Sequence, residues 1–241
     1  MSRRIKVGVM KPIETGCIDE NGVLIPADGV FLKKMAEADD SIDLIAPVRF
    51  EHPLAPMVAS QLKGMSVEID RIISAYKNLA DKYDFLIVEG IGGLLVPVTK
   101  LRTPNSEPRT YFVIDIIKDL KLPVIVVSRP TLGTINHTLL TVSHAQREGI
   151  KVLGVIINCN EPLKGSIAEK TNTDVLRELS HVPVLGIIPY IENITADTLD
   201  EIASGVIDIE ALQLLSLFTG LLFSSSLTIT GLKSFISFLS T

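Results

Sequence analysis

Two residues in this sequence, each closing a short apolar run, have the types and spacing that chemistry needs. Glu89 ends the run Phe85-Leu86-Ile87-Val88 and is followed at once by Gly90, Gly92 and Gly93. The run is too short for a helix and lies between Asp84 and the glycines, as a strand buried on both faces would. A carboxylate at such a tip is costly to bury without a partner, and open α/β sheets bind ligands outside their strand tips. Glycines let backbone N–H groups approach a ligand with no side chain in the way. Glu89 is therefore a candidate for holding a metal ion or a substrate amine beside a bound phosphate. A plain strand end with a flexible turn and a solvated glutamate fits these residues equally well. Lys11 stands at a second tip, where Pro12 removes an N–H and Gly16 permits a turn after a strand over residues 5–10.

The elements that must position these residues follow from periodicity. Asp28, between Pro26 and a run of helix formers, reads as an N-cap. Residues 41–65 carry Pro47, Pro53 and Pro56 and read as mostly irregular until Met57. Ile69, Ile72, Ile73, Tyr76, Leu79 and Ala80 form a helical stripe leading to the Phe85 strand. Residues 101–109 read as a surface loop and 111–120 as a helix. Val124–Val127 is another apolar strand. A helix opens near Leu132-Gly133-Thr134-Ile135-Asn136-His137 and runs to about Glu148, with Gly149 as its C′ residue. A strand over 152–157 ends at Asn158, a helix spans 173–179, and a last strand over 184–188 stops at Pro189. A short closing helix is expected over 208–215.

Strands alternating with helices imply an α/β fold: a mostly parallel sheet with helices on both faces and right-handed crossovers. Such a sheet would set Lys11, Glu89, Ser128 and Asn158 along one rim. That convergence favours a functional rather than a bland role for them.

Bulk properties narrow the classes. The chain of 241 residues suits one α/β domain, and its net charge of −5 offers no electrostatic case for nucleic acid or an acidic membrane surface. Tryptophan is absent, so base-stacking platforms are not expected. Cys17 and Cys159 match no metal spacing, and neither a disulfide nor a metal is implied by them. No signal-peptide core is present, and a cytoplasmic location is expected. The stretch from Ala211 to Leu232 contains no charged residue. It is long enough to span a bilayer but is diluted by serine and threonine. A terminal membrane helix, an oligomer-facing segment and an unnatural extension compete, and the last is favoured. The expected division is therefore a folded domain over 1–215 and a tail over 216–241 outside the fold.

From about Lys6 to about Leu215 the chain resembles the ATP-dependent dethiobiotin synthetases. The resemblance rests on Lys11-Pro12-Ile13-Glu14-Thr15-Gly16, Asp28, His52-Pro53-Leu54-Ala55-Pro56, Val88-Glu89-Gly90-Ile91-Gly92-Gly93, Leu132–His137 and Gly154-Val155-Ile156-Ile157-Asn158. The ordered set is specific, although Glu-Gly-x-Gly-Gly alone also occurs in cobyrinic acid amidotransferase-like ATPases. The resemblance implies a P-loop NTPase-like fold. It also implies ureido ring closure on 7,8-diaminopelargonic acid with carbon dioxide, ATP and magnesium. Lys11 matches the family lysine that stabilises the carbamate and the transferring phosphoryl group. Thr15, Gly92 and Gly93 match substrate contacts. Asp28 and Glu89 match the magnesium carboxylates beside the nucleotide. Asn158 matches the residue that reads the adenine edge, and Ile188 and Pro189 lie where the family holds the base. Gly133, Thr134, Ile135 and Asn136 match a helix N-terminus that binds the substrate carboxylate from the other subunit, which implies a homodimer.

One family element has no counterpart. No Gly-x-x-x-x-Gly-Lys-[Ser/Thr] stretch occurs in the 241 residues. The family's first strand, phosphate loop and first helix are expected to be absent, and ATP turnover by this chain is expected to be impaired. A non-catalytic binding module, an amidotransferase-like ATPase and a membrane-anchored protein are the rival readings.

Overall fold

The computed structural model describes residues 6–101 and 107–195, and beyond them 198, 199, 202, 205 and 206. Internal contacts divide it into two compact units, one over Lys6–Leu120 and one from Lys121 onward. The expected loop centre at 102–106, the closing helix over 208–215 and the charge-free stretch over 211–232 lie outside the described residues.

In the first unit β1 (Val7–Met10) is buried at every position. It is followed by β2 (Ile13–Thr15), β3 (Ile18–Glu20) and β4 (Val23–Ile25). Then come α1 (Ala27–Met35), α2 (Ile42–Ile45), β5 (Val48–Phe50), α3 (Pro56–Leu62) and α4 (Ile69–Ala80). The unit ends with β6 (Phe85–Val88), β7 (Pro97–Leu101), β8 (Arg109–Phe112) and α5 (Val113–Leu120). β1 and β6 pair in parallel, Val7 opposite Phe85 through Met10 opposite Val88. α1, α2 and α4 pack on β1, and α4 also packs on β6. Of the stripe expected on α4, Ile72 and Leu79 are fully enclosed and Ile69, Ile73 and Tyr76 are half-buried, whereas Ala80 is exposed and Ala75 is buried in its place. Gly8 is needed where the pair meets Tyr83, because a Cβ there would come within 2.4 Å of the ring.

Two local readings give way, and one element is additional to them. Tyr111 and Phe112 are not helical: β8 pairs antiparallel with β7, Tyr111 opposite Thr99, and the helix starts only at Val113. Cross-strand pairing outweighs local helical periodicity there. Residues 41–65 are more ordered than their prolines suggest. β5 pairs in parallel with β2 across them, and Pro56 opens α3, where its missing N–H is not needed. Finally, β3 and β4 form an antiparallel hairpin about Asn21-Gly22, both at positive φ (57° and 85°). Asn-Gly is the strongest short hairpin signal, and here it joins Ile18–Glu20 to Val23–Ile25.

The second unit holds β9 (Val124–Ser128), α6 (Thr134–Arg147), β10 (Val152–Asn158), α7 (Ile167–Leu179) and β11 (Val184–Ile188). These strands form a parallel sheet in the order β11–β10–β9. β10 is the central strand and is buried from Val152 to Ile157, so its apolar run has no polar face to show. A side chain at Gly154 would meet Leu185 and the Pro183 carbonyl at 2.6 Å. α7 begins six residues earlier than periodicity suggests, because Ser166 and Glu169 make a capping box. No helix among the described residues is long and apolar enough to cross a membrane.

Candidate active site

The β1–β6 register builds the centre of the site. Met10 and Val88 are opposite one another, so Lys11 and Glu89 are the next residues on adjacent parallel strands. Two backbone bonds hold the tips: the Lys11 N–H donates to the Ile45 carbonyl and the Glu89 N–H to the Met10 carbonyl, each at 2.8 Å. Lys11 Nζ then reaches Glu89 Oε1 at 2.6 Å and Asp28 Oδ2 at 2.8 Å. The side chains of Lys11 and Glu89 are 6% and 14% exposed, whereas that of Asp28 is 40% exposed. One ammonium thus lies against two carboxylates, with one side open through Asp28.

Asp28 does not cap α1. The N-cap position is Pro26, and Asp28 lies inside the first turn. The capping is done from a distance by Glu14 on β2. Its Oε1 accepts from the Asp28 N–H and its Oε2 from the Gly29 N–H, both at 2.9 Å. Glu14 is 3% exposed. Sequence reading passed over it as part of a motif; its only signal is a charged residue inside an otherwise buried segment.

The electrostatics follow from one cation among three carboxylates. Burial opposes the charge on Lys11, but Glu89 and the hydrogen bond to Asp28 outweigh it and hold its pKa above the ordinary lysine value. Burial raises the pKa of Glu89, partly offset by Lys11, and Asp28 and Glu14 push it further up. Burial likewise raises that of Glu14, opposed by the two amides it accepts from. The cluster therefore attracts a further positive charge.

Those carboxylates suit a magnesium ion, which commonly takes one or two protein carboxylates and fills its shell with water and phosphate oxygens. The donors are hard oxygens, and the exposure of Asp28 leaves room for the rest of the shell. Among the described residues no group of three or more His, Cys, Asp or Glu side chains could hold a metal by itself.

The other expected residues fall as follows. Thr15 closes β2 opposite Phe50. Gly92 and Gly93 are exposed in the loop after β6, and Gly92 has φ 62°, which favours glycine. In the second unit Asn158 ends β10 opposite Ile188, the last residue of β11, and Pro189 follows exposed. Gly133, at φ 93°, is the N-cap of α6, and no side chain hydrogen bond caps that end. Thr134, Ile135 and Asn136 form its first turn. Asn172 of α7, which sequence reading missed, anchors the loop before Gly133 by donating to the carbonyls of Pro130 (2.9 Å) and Thr131 (3.1 Å). A buried asparagine on a helix has no distinguishing sequence signal.

An AAA-domain family model matches residues 1–198. The ATP-dependent dethiobiotin synthetase BioD of Thermodesulfovibrio yellowstonii is 52% identical over 212 residues, 88% of each chain. This chain belongs to the ATP-dependent dethiobiotin synthetase family. The Methanocaldococcus jannaschii synthetase is 38% identical over 80% of this chain and 84% of its own. That of Bacillus subtilis is 38% identical over 80% of this chain and 78% of its own.

Proposed function

We propose that the chain carries the dethiobiotin synthetase active site. It would close the ureido ring of dethiobiotin on 7,8-diaminopelargonic acid with carbon dioxide and ATP, in the cytoplasm. One amine of the substrate adds to carbon dioxide and loses a proton, giving a carbamate. The γ-phosphoryl group of ATP passes to a carbamate oxygen and ADP leaves. The second amine attacks the activated carbon, and inorganic phosphate departs as the ring closes. Negative charge accumulates on the carbamate and the transferring group, and Lys11, held protonated by its surroundings, stabilises it. Asp28 and Glu89 would hold magnesium, which supplies charge neutralisation on the phosphates. Thr15, Gly92 and Gly93 would line the substrate. Asn158, Ile188 and Pro189 would receive the adenine. Gly133, Thr134, Ile135 and Asn136 would bind the substrate carboxylate across a homodimer, since a helix N-terminus that no side chain caps and the helix dipole favour an anion.

The observation that carries the proposal is the meeting of Lys11 with both Glu89 and Asp28 within 2.8 Å, from three separate segments. The test has two arms. Calorimetric titration with diaminopelargonate and bicarbonate should show saturable binding that Lys11→Met abolishes; equal binding by the variant would refute the role of Lys11. Mass-spectrometric detection of dethiobiotin with Mg-ATP should show slow turnover, because no phosphate-loop pattern occurs in these residues. Robust turnover would refute that last point alone.

A further inference from the structure

Glu14 makes no direct bond to the Lys11 ammonium, yet it sets where one of that ammonium's two partners stands. It is held on β2 opposite Arg49 of β5, and a buried carboxylate there is costly unless strong donors meet it. Both oxygens are met by consecutive amides of the first turn of α1, where the helix dipole adds to the attraction. The turn is pressed from another direction too. A Cβ on Gly29 would come within 2.9 Å of the Ala46 Cβ, and Ala46 is fully buried. With the backbone of this turn held on both sides, the Asp28 carboxylate stands within reach of Lys11 Nζ, 2.8 Å away.

We propose that Glu14 is a positioning residue: by clamping the Asp28 and Gly29 amides it aims the Asp28 carboxylate into the Lys11–Glu89 site and so sets that site's affinity for a divalent cation. This rests on the reading above that Asp28 and Glu89 are cation ligands. The clamp itself does not. A remote carboxylate cap of this kind acts as an outer-shell partner does in metal sites, where its loss typically weakens binding about 10- to 100-fold.

The test uses the full chain and MnCl2 alone, followed by water-proton relaxation, with amide hydrogen exchange read in parallel. Glu14→Gln keeps the length but offers one acceptor oxygen to two amides. It should speed exchange at Asp28 and Gly29 by about tenfold or more and weaken Mn2+ binding by about tenfold. Asp28→Asn should weaken binding further, and the Glu14→Gln/Asp28→Asn double variant should bind no worse than Asp28→Asn alone. Gly29→Ala, which displaces the same turn without touching Glu14, should also weaken binding and keeps the test open if Glu14→Gln fails to fold. Leu79→Ala lowers stability away from the site and should leave Mn2+ affinity unchanged. Wild-type affinity in Glu14→Gln, or additive losses in the double variant, would overturn the proposal. Absence of Mn2+ binding by the wild type, or wild-type affinity in Asp28→Asn, would overturn the cation reading. The clamp would then be judged by exchange alone, and unchanged exchange in Glu14→Gln would refute it.

Discussion

Lys11→Met separates what the ammonium does for the fold from what it does for the chemistry. Methionine has nearly the length of lysine and little cavity results, so the loss is one of charge. The Glu89 carboxylate, mostly buried and 2.6 Å from Nζ, loses the charge of Lys11. Removing one partner of a buried pair costs about 3–5 kcal/mol. The contact to Asp28 adds little because Asp28 is substantially exposed and its charge is screened. The lower end applies, about 3 kcal/mol, since solvent reaches the cluster through Asp28. For a chain of this size that corresponds to a fall in Tm of about 6–12 °C. Urea unfolding followed by circular dichroism at pH 7 measures it directly. The companion variant Lys11→Met/Glu89→Gln also removes the carboxylate charge and should recover more than half the loss. A loss below about 1 kcal/mol in the single variant, or no recovery in the double, would show that the pair is not the buried charge contact described. In the dethiobiotin assay Lys11→Met should reduce turnover by about 100-fold or more, the usual consequence of removing one group that stabilises developing charge.

Two further outcomes test the units separately. Asp40 is buried, accepting from Lys82 Nζ at 2.6 Å and also from the Tyr83 hydroxyl. Burial would raise its pKa, but these two donors outweigh it and hold the carboxyl below the ordinary aspartate value. Its contribution is therefore present above about pH 4 and is lost as pH falls through the lower folded value. Asp40→Asn should cost about 1–3 kcal/mol at pH 7, with the gap to wild type narrowing in acid melts below about pH 4; a constant gap down to pH 3 would contradict the assignment. Asn172→Ala releases the loop before α6. It should cost about 1–3 kcal/mol in thermal melts and raise the KM for diaminopelargonate more than it lowers kcat; an unchanged KM would dissociate that loop from substrate binding.

The strand tips were legible without coordinates. Short β-branched runs closed by Lys11, Glu89 and Asn158 mark where parallel strands end, because alternation of apolar runs with helical stripes is a local property. The family motifs sit on those ends. The Asn21-Gly22 turn and the Ser166–Glu169 capping box are likewise local, each set by residues within three positions of one another. What lay beyond local inspection were partners brought from elsewhere in the chain. Asp28 looks like a cap because aspartate commonly caps the turn it begins. The true cap is Glu14, 14 residues away, and it frees Asp28 to face Lys11. Tyr111 and Phe112 look helical until Thr99 and Pro97 pair with them. Periodicity and turn chemistry act over a few residues, so the chain's order of types determined where its elements end. Which buried carboxylate meets which donor is decided by the register and packing of distant segments, since a charge taken out of water must be met by whatever the fold sets beside it.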